Sequence, residues 1–114
     1  MNDRMARAPY AYVWSYRVSA EDVEEFIRLY GPDGAWVALF RQGEGYLGTD
    51  LLRDATDAGR FVTIDRWVSE LAFDRFRETF AEEYQQLDRE GEVLTIEELP
   101  LGEFHEVGAG DSPG

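Results

Sequence analysis

The amino-acid sequence predicts an α+β domain with its elements in the order β-α-β-β-α-β. Three observations point to it. Residues 10–18 alternate with a period near two and set Tyr10, Tyr12, Trp14 and Tyr16 on one unusually aromatic face. Residues 45–54 and 60–67 form two further strand-like runs around a short turn at 55–59 that ends in Gly59. A helical-period stripe follows the first and the third of these runs. At 114 residues the chain is long enough for one compact domain and too short for two.

In the first strand Tyr10, Tyr12, Trp14, Tyr16 and Val18 share one face, with Ala11, Val13, Ser15 and Arg17 on the other. Ser19 is placed to cap a helix in which Val23, Phe26, Ile27 and Tyr30 fall on one side. Gly31, Pro32 and Gly34 break it, and a second apolar helical piece, residues 36–40, ends near Gly43 and Gly45. After the hairpin, Ser69 is the N-cap of one long helix in which Phe73, Phe76, Phe80, Tyr84 and Leu87 step by three or four residues. Gly91 is expected just past its end, and residues 93–99 read as a fourth strand, resumed over 101–107 after an interruption at Pro100. The result is a ferredoxin-like arrangement: a four-stranded antiparallel sheet covered on one face by helices. Strand three carries apolar residues on both faces, so a second copy of the chain is the economical cover for the open face, and a homodimer would close two sheets into a barrel. The domain is expected to span 10–107, with disordered ends at 1–9 and 108–114.

Eleven arginines, no lysine and 24 acidic residues give a formal net charge of -13. A surface this negative repels phosphate backbones and anionic lipid headgroups, which argues against nucleic-acid or membrane partners. The acidity otherwise serves solubility. Without cysteine, disulfides and thiolate sites are excluded. The single histidine, His105, stands in no metal-ligand spacing, so no metal site is expected. Neither a signal-peptide core nor a membrane-length apolar run is seen, and a cytoplasmic location is expected.

Two features could carry chemistry. Asp65 sits inside a strand on the face shared by Thr63 and Trp67. A carboxylate held against aromatic groups has a raised pKa and can take a proton from a phenol or carbon acid. The alternative is an ion pair with Arg53 or Arg66, with Asp50 in the neighbouring strand. The second feature is aromatic density: Trp14, Tyr16 and Trp67 from the sheet, with Trp36, Phe40, Phe73, Phe76 and Phe80 from the helices, could line a slot for a planar ligand. The same residues could instead form a plain core, the commoner fate of aromatic stripes at helical spacing.

The segments 30–34 with Trp36, 45–52, 63–67 and Ala72-Phe73 resemble the antibiotic biosynthesis monooxygenase family over about residues 10–106. The resemblance implies a homodimer with a pocket between sheet and helices in each subunit. It also implies oxidation of an aromatic, anthrone or quinol-type small molecule by O2 with no flavin, haem or metal. Trp67 occupies the family's strand-three tryptophan position and is the first candidate for the site, with Tyr16 and Asp65 as orienting or deprotonating groups. A haem-degrading branch pairs that tryptophan with a strand-one asparagine and a helix histidine. Neither is found here, since the corresponding segment is Trp14-Ser15-Tyr16-Arg17 and the helix offers Arg77. The rival from another class is a non-catalytic dimer that binds a small hydrophobic molecule.

Overall fold

A computed structural model of the chain describes residues 8–107. The expected tail and residues 1–7 of the expected arm lie outside the described residues. Pro9 lies inside them, and its carbonyl accepts a hydrogen bond from the Glu106 N–H at 2.9 Å. The elements are β1 (Tyr10–Arg17), a 3₁₀ turn (Ala20–Asp22), α1 (Val23–Tyr30), α2 (Ala35–Phe40), β2 (Tyr46–Arg53), β3 (Arg60–Trp67), α3 (Glu70–Thr79), α4 (Ala81–Glu92) and β4 (Glu97–His105). The strands form one antiparallel sheet in the order β2-β3-β1-β4. This is the α+β, ferredoxin-like fold that the strand and helix periods predict.

The alternation in β1 and β3 decides which face is covered. Register pairs Tyr10 with Trp67, Tyr12 with Asp65, Trp14 with Thr63 and Tyr16 with Phe61, all on the helix side. Phe26, Phe61 and Trp67 are the largest fully buried side chains. Burying each such side chain contributes roughly 1.5–3 kcal/mol. The opposite face carries Leu47, Leu52, Leu99 and Phe104, each about half exposed.

Four details depart from the sequence reading. Ser19 opens the helical region through the 3₁₀ turn, its hydroxyl donating to Asp22 at 3.2 Å with no backbone cap, whereas Ser69 caps α3 by accepting from the Ala72 N–H at 3.0 Å. The expected long helix divides at Phe80, whose φ of -112° and ψ of 34° leave helical geometry. No glycine or proline marks this break. The two halves pack against different partners, Phe73 and Phe76 against Trp67 and Tyr84 against Trp36. Gly91 lies inside the last turn of α4, where the Tyr30 hydroxyl occupies the space a Cβ would need, so a larger residue would displace the buried Tyr30. Finally, β4 begins at Glu97, and Val93 and Ile96 are exposed in the preceding turn. Pro100 does not interrupt this strand, because β4 is an edge strand and its register on β1 shifts beside Pro100. Among the described residues, no helix is long and apolar enough to cross a membrane.

Candidate functional site

Simple alternation along β2 would put Tyr46 and Thr49 on opposite faces. A register shift between Tyr46 and Gly48 inserts one residue, and both then turn toward the helices. Gly48 permits it: its φ of +146° lies in the region open to glycine. Tyr46 Oη and Thr49 Oγ1 come within 2.6 Å, and Thr49 Oγ1 donates to Asp65 Oδ1 at 2.7 Å. The shift also turns Asp50 to the open face, where Arg66 engages it at 2.6 Å. Arg53 donates from Nε to the Ala58 carbonyl and lies over the Phe61 ring at 5.1 Å. Both arginines that could have neutralised Asp65 are therefore engaged elsewhere.

Asp65 is 8 % exposed and makes no ion pair among the described residues. Burial pushes its pKa up to about 6, and the Thr49 hydrogen bond holds it from rising further. Its Oδ2 makes no hydrogen bond among the described residues, and Asp65 lines a cavity of about 320 Å³. That volume lies at the lower end of small-molecule sites. The floor is Thr49, Thr63 and Asp65 from β2 and β3. Aromatic walls come from Tyr12, Trp14 and Tyr16 on β1, Tyr30 on α1, Trp36 and Phe40 on α2, and Tyr84 on α4. Arg77, Asp88, Glu92 and Glu98 complete the lining.

The phenols in this lining are held neutral. Burial pushes Tyr16 well above its usual value, and Tyr30 and Tyr84 are also raised, first by burial. Thr63 Oγ1 donates to the Tyr16 hydroxyl at 3.4 Å. Near neutral pH these groups can donate hydrogen bonds but cannot act as bases, which leaves Asp65 as the floor's base. The Trp36 Nε1 is buried without an aligned partner, although the Tyr30 hydroxyl is near enough to respond to it.

Of the residues singled out in the sequence, Asp65, Tyr16, Trp14, Trp36 and Phe40 meet at this cavity. Trp67, Phe73, Phe76 and Phe80 do not line it. Register is the reason: Trp67 is paired with Tyr10 at the far end of the sheet, not with Trp14 or Tyr16. There it is fully buried among Phe40, Tyr46, Phe73 and Phe76, and its Nε1 has no hydrogen-bond partner among the described residues. Phe76 and Phe80 instead border a groove beside Gly43 and Ala72. His105 approaches Glu70 at 3.7 Å and is also outside the cavity. Sequence reasoning did not place Tyr12, Tyr30, Thr49, Arg77, Tyr84, Asp88, Glu92 or Glu98 in the site. Local signals were present for Tyr12, on the face of Trp14 and Tyr16, and for Thr49, beside Gly48 inside a strand pattern. Among the described residues no group of three or more His, Asp or Glu side chains is arranged to hold a metal.

Comparison with known proteins agrees with this fold. No curated protein matches the chain. A single-site variant of SnoaB, a cofactor-independent oxygenase from Streptomyces nogalater, superposes with a TM-score of 0.73 at 19% identity, over 90% of this chain and 96% of that one. A conserved protein from Bacteroides thetaiotaomicron gives 0.73 at 17% identity, over 89% and 100%. A Pseudomonas aeruginosa protein gives 0.64 at 23% identity, over 90% and 97%. At such identities these likenesses establish the fold. The family model for antibiotic biosynthesis monooxygenase matches residues 9–90, from the approach to β1 nearly to the end of α4, and the chain belongs to that family.

Proposed function

We propose that this protein is a cofactor-independent monooxygenase acting on an aromatic, anthrone or quinol-type small molecule. The observation that carries the reading is Asp65: a buried carboxylate with no ion-pair partner among the described residues, one oxygen held by Thr49 and the other without a hydrogen bond, in the lining of an aromatic-walled cavity. Asp65 takes a proton from the bound phenol or activated methylene, and the resulting electron-rich anion reduces O2 directly. For an anthrone-type substrate the balance is methylene plus O2 to carbonyl plus water. Four electrons leave the carbon, one oxygen atom enters the product and the other departs as water. Tyr16 and the aromatic walls orient the ring and exclude bulk water. Trp67 supports this site through packing, by way of Phe40, which touches both the tryptophan and the cavity.

The test is oxygen uptake by the purified protein against a panel of hydroquinones and anthrones. Uptake above the spontaneous rate that falls by roughly 10²-fold or more in Asp65→Asn supports the reading. Uptake unchanged in that variant removes Asp65 as the base. Binding of panel members without any uptake favours the non-catalytic binding protein.

We infer that the working form is a homodimer joined through the open sheet face, because Leu47, Leu52, Leu99 and Phe104 are about half exposed there. Light scattering should report twice the chain mass, and a strictly monomeric mass would overturn the inference.

A further inference from the structure

The cavity is unevenly charged. Asp65 lies at its floor, Asp88, Glu92 and Glu98 line it from α4 and β4, and the only cationic side chain in its lining is Arg77. Arg77 is partly committed to aromatic faces, with its guanidinium 5.6 Å from the Phe73 ring and 5.5 Å from the Tyr84 ring. None of the three rim carboxylates makes an ion pair among the described residues. They also act on one another: beyond the larger effect of burial, Glu92 raises Asp88 against a lowering by Arg77, and both raise Glu98 against a lowering by Thr95. Thr95 donates to Glu98 at 2.8 Å, a bond from a neutral donor that leaves the charge in place.

An acidic rim alone is the ordinary state of a chain with a net charge of -13. Asp88 and Glu92 are exposed on α4 and Glu98 is half-buried, but two independent features distinguish this rim from an ordinary solvated helix face. It borders a cavity whose floor holds a nine-tenths-buried carboxylate with an unpartnered oxygen. It also adjoins electron-rich rings, with Tyr84 edge-on to Trp36 at 5.0 Å and Tyr30 6.2 Å from Trp36. Carboxylates beside aromatic faces favour an organic cation, while an anionic substrate would meet four carboxylates and one arginine.

We propose that the cavity takes an aromatic molecule bearing a protonated amine, its ring against the aromatic walls and its ammonium at Asp88, Glu92 and Glu98. The proposal rests on reading this cavity as the substrate site and adds the charge class of the substrate. A molecule that differs only in carrying a carboxylate in place of the amine is rejected, because it is repelled at the rim and at Asp65 alike.

The experiment is calorimetric titration of the full chain at pH 7.5 and low salt with three matched probes: 2-naphthylmethylamine, 2-naphthylmethanol and 2-naphthoate. The amine should bind about tenfold more tightly than the alcohol, with the carboxylate weakest, and added salt should shrink the gap. In the triple variant Asp88→Asn, Glu92→Gln, Glu98→Gln the amine should fall to the level of the alcohol while the alcohol's affinity is unchanged. An alcohol that binds as tightly as the amine, or a carboxylate that binds best, overturns the charge preference and leaves the cavity as a binding site. No binding by any of the three overturns both.

Discussion

At one end of the inner sheet face Trp67 is wedged among Phe40, Tyr46, Phe73 and Phe76, with ring centroids between 5.1 and 5.8 Å away. Gly43 lies so close that a Cβ there would meet Phe76 at 2.8 Å. At the other end Trp14, Tyr16, Trp36 and Tyr84 surround open space above Thr49, Thr63 and Asp65. Both ends are rich in aromatic residues and both are covered by helices, yet only one is hollow. The difference lies in the polar atoms. The filled end is built mainly from phenylalanine around one tryptophan, whereas the hollow end sets tyrosine hydroxyls, threonines and a carboxylate facing inward, groups that close packing against hydrocarbon would leave unsatisfied. Aromatic density therefore does not by itself mark a pocket, nor does one orphaned donor such as Trp67 Nε1; the hollow end is the one that gathers several hydroxyls and a carboxylate around one space.

Substitutions at three residues test that contrast. Trp67→Ala should cost about 3–5 kcal/mol in chemical denaturation, because it empties a packed site. The milder Trp67→Phe should keep the fold and retain probe binding at the cavity. A Trp67→Phe protein that folds but binds no cavity ligand would mean that the two ends are one site.

Asp65→Asn should act in the opposite direction on stability. The folded state raises the pKa of Asp65 to about 6 through burial, so the charged form is disfavoured on folding. That penalty is fully present above pH 6 and is relieved as pH falls toward the ordinary carboxylate value. The variant should be more stable than the parent by roughly 2–3 kcal/mol at pH 8, with the gap closing by about pH 4. Oxygen uptake by the parent should rise with pH through about 6 as the base ionises. Equal stability of parent and variant across that range would show that the carboxylate is not desolvated.

The smallest effect is expected from Thr49→Val. It removes the bond that restrains the Asp65 pKa and leaves Tyr46 without its hydroxyl partner. Stability should fall by about 1 kcal/mol, and the lower limb of the pH–rate profile should move upward. An unmoved profile would separate Thr49 from the base.

The strands and the helix-facing residues were legible in the sequence because period-two and period-3.6 patterns are local. Asp65, Tyr16, Trp14, Trp36 and Phe40 were legible as site candidates for a related reason: each sits at a face position that its own element defines. The kink at Phe80 and the passage of β4 through Pro100 were not, since each depends on what the segment packs against. Trp67 shows the limit most clearly. Its face was evident from alternation, but its distance from Tyr16 depended on strand register, which is set between strands.

The amino-acid sequence by itself determined the element order, the covered face of the sheet, the strong negative charge and the family. Tertiary structure alone decided which aromatic residues enclose space and which fill it. It also decided that Asp65 is held by Thr49 and not by an arginine, and that Asp88, Glu92 and Glu98 converge on one rim. The physical reason is that one inserted residue at Leu47 turns Thr49 inward and Asp50 outward, exchanging the partners of Asp65 and Arg66.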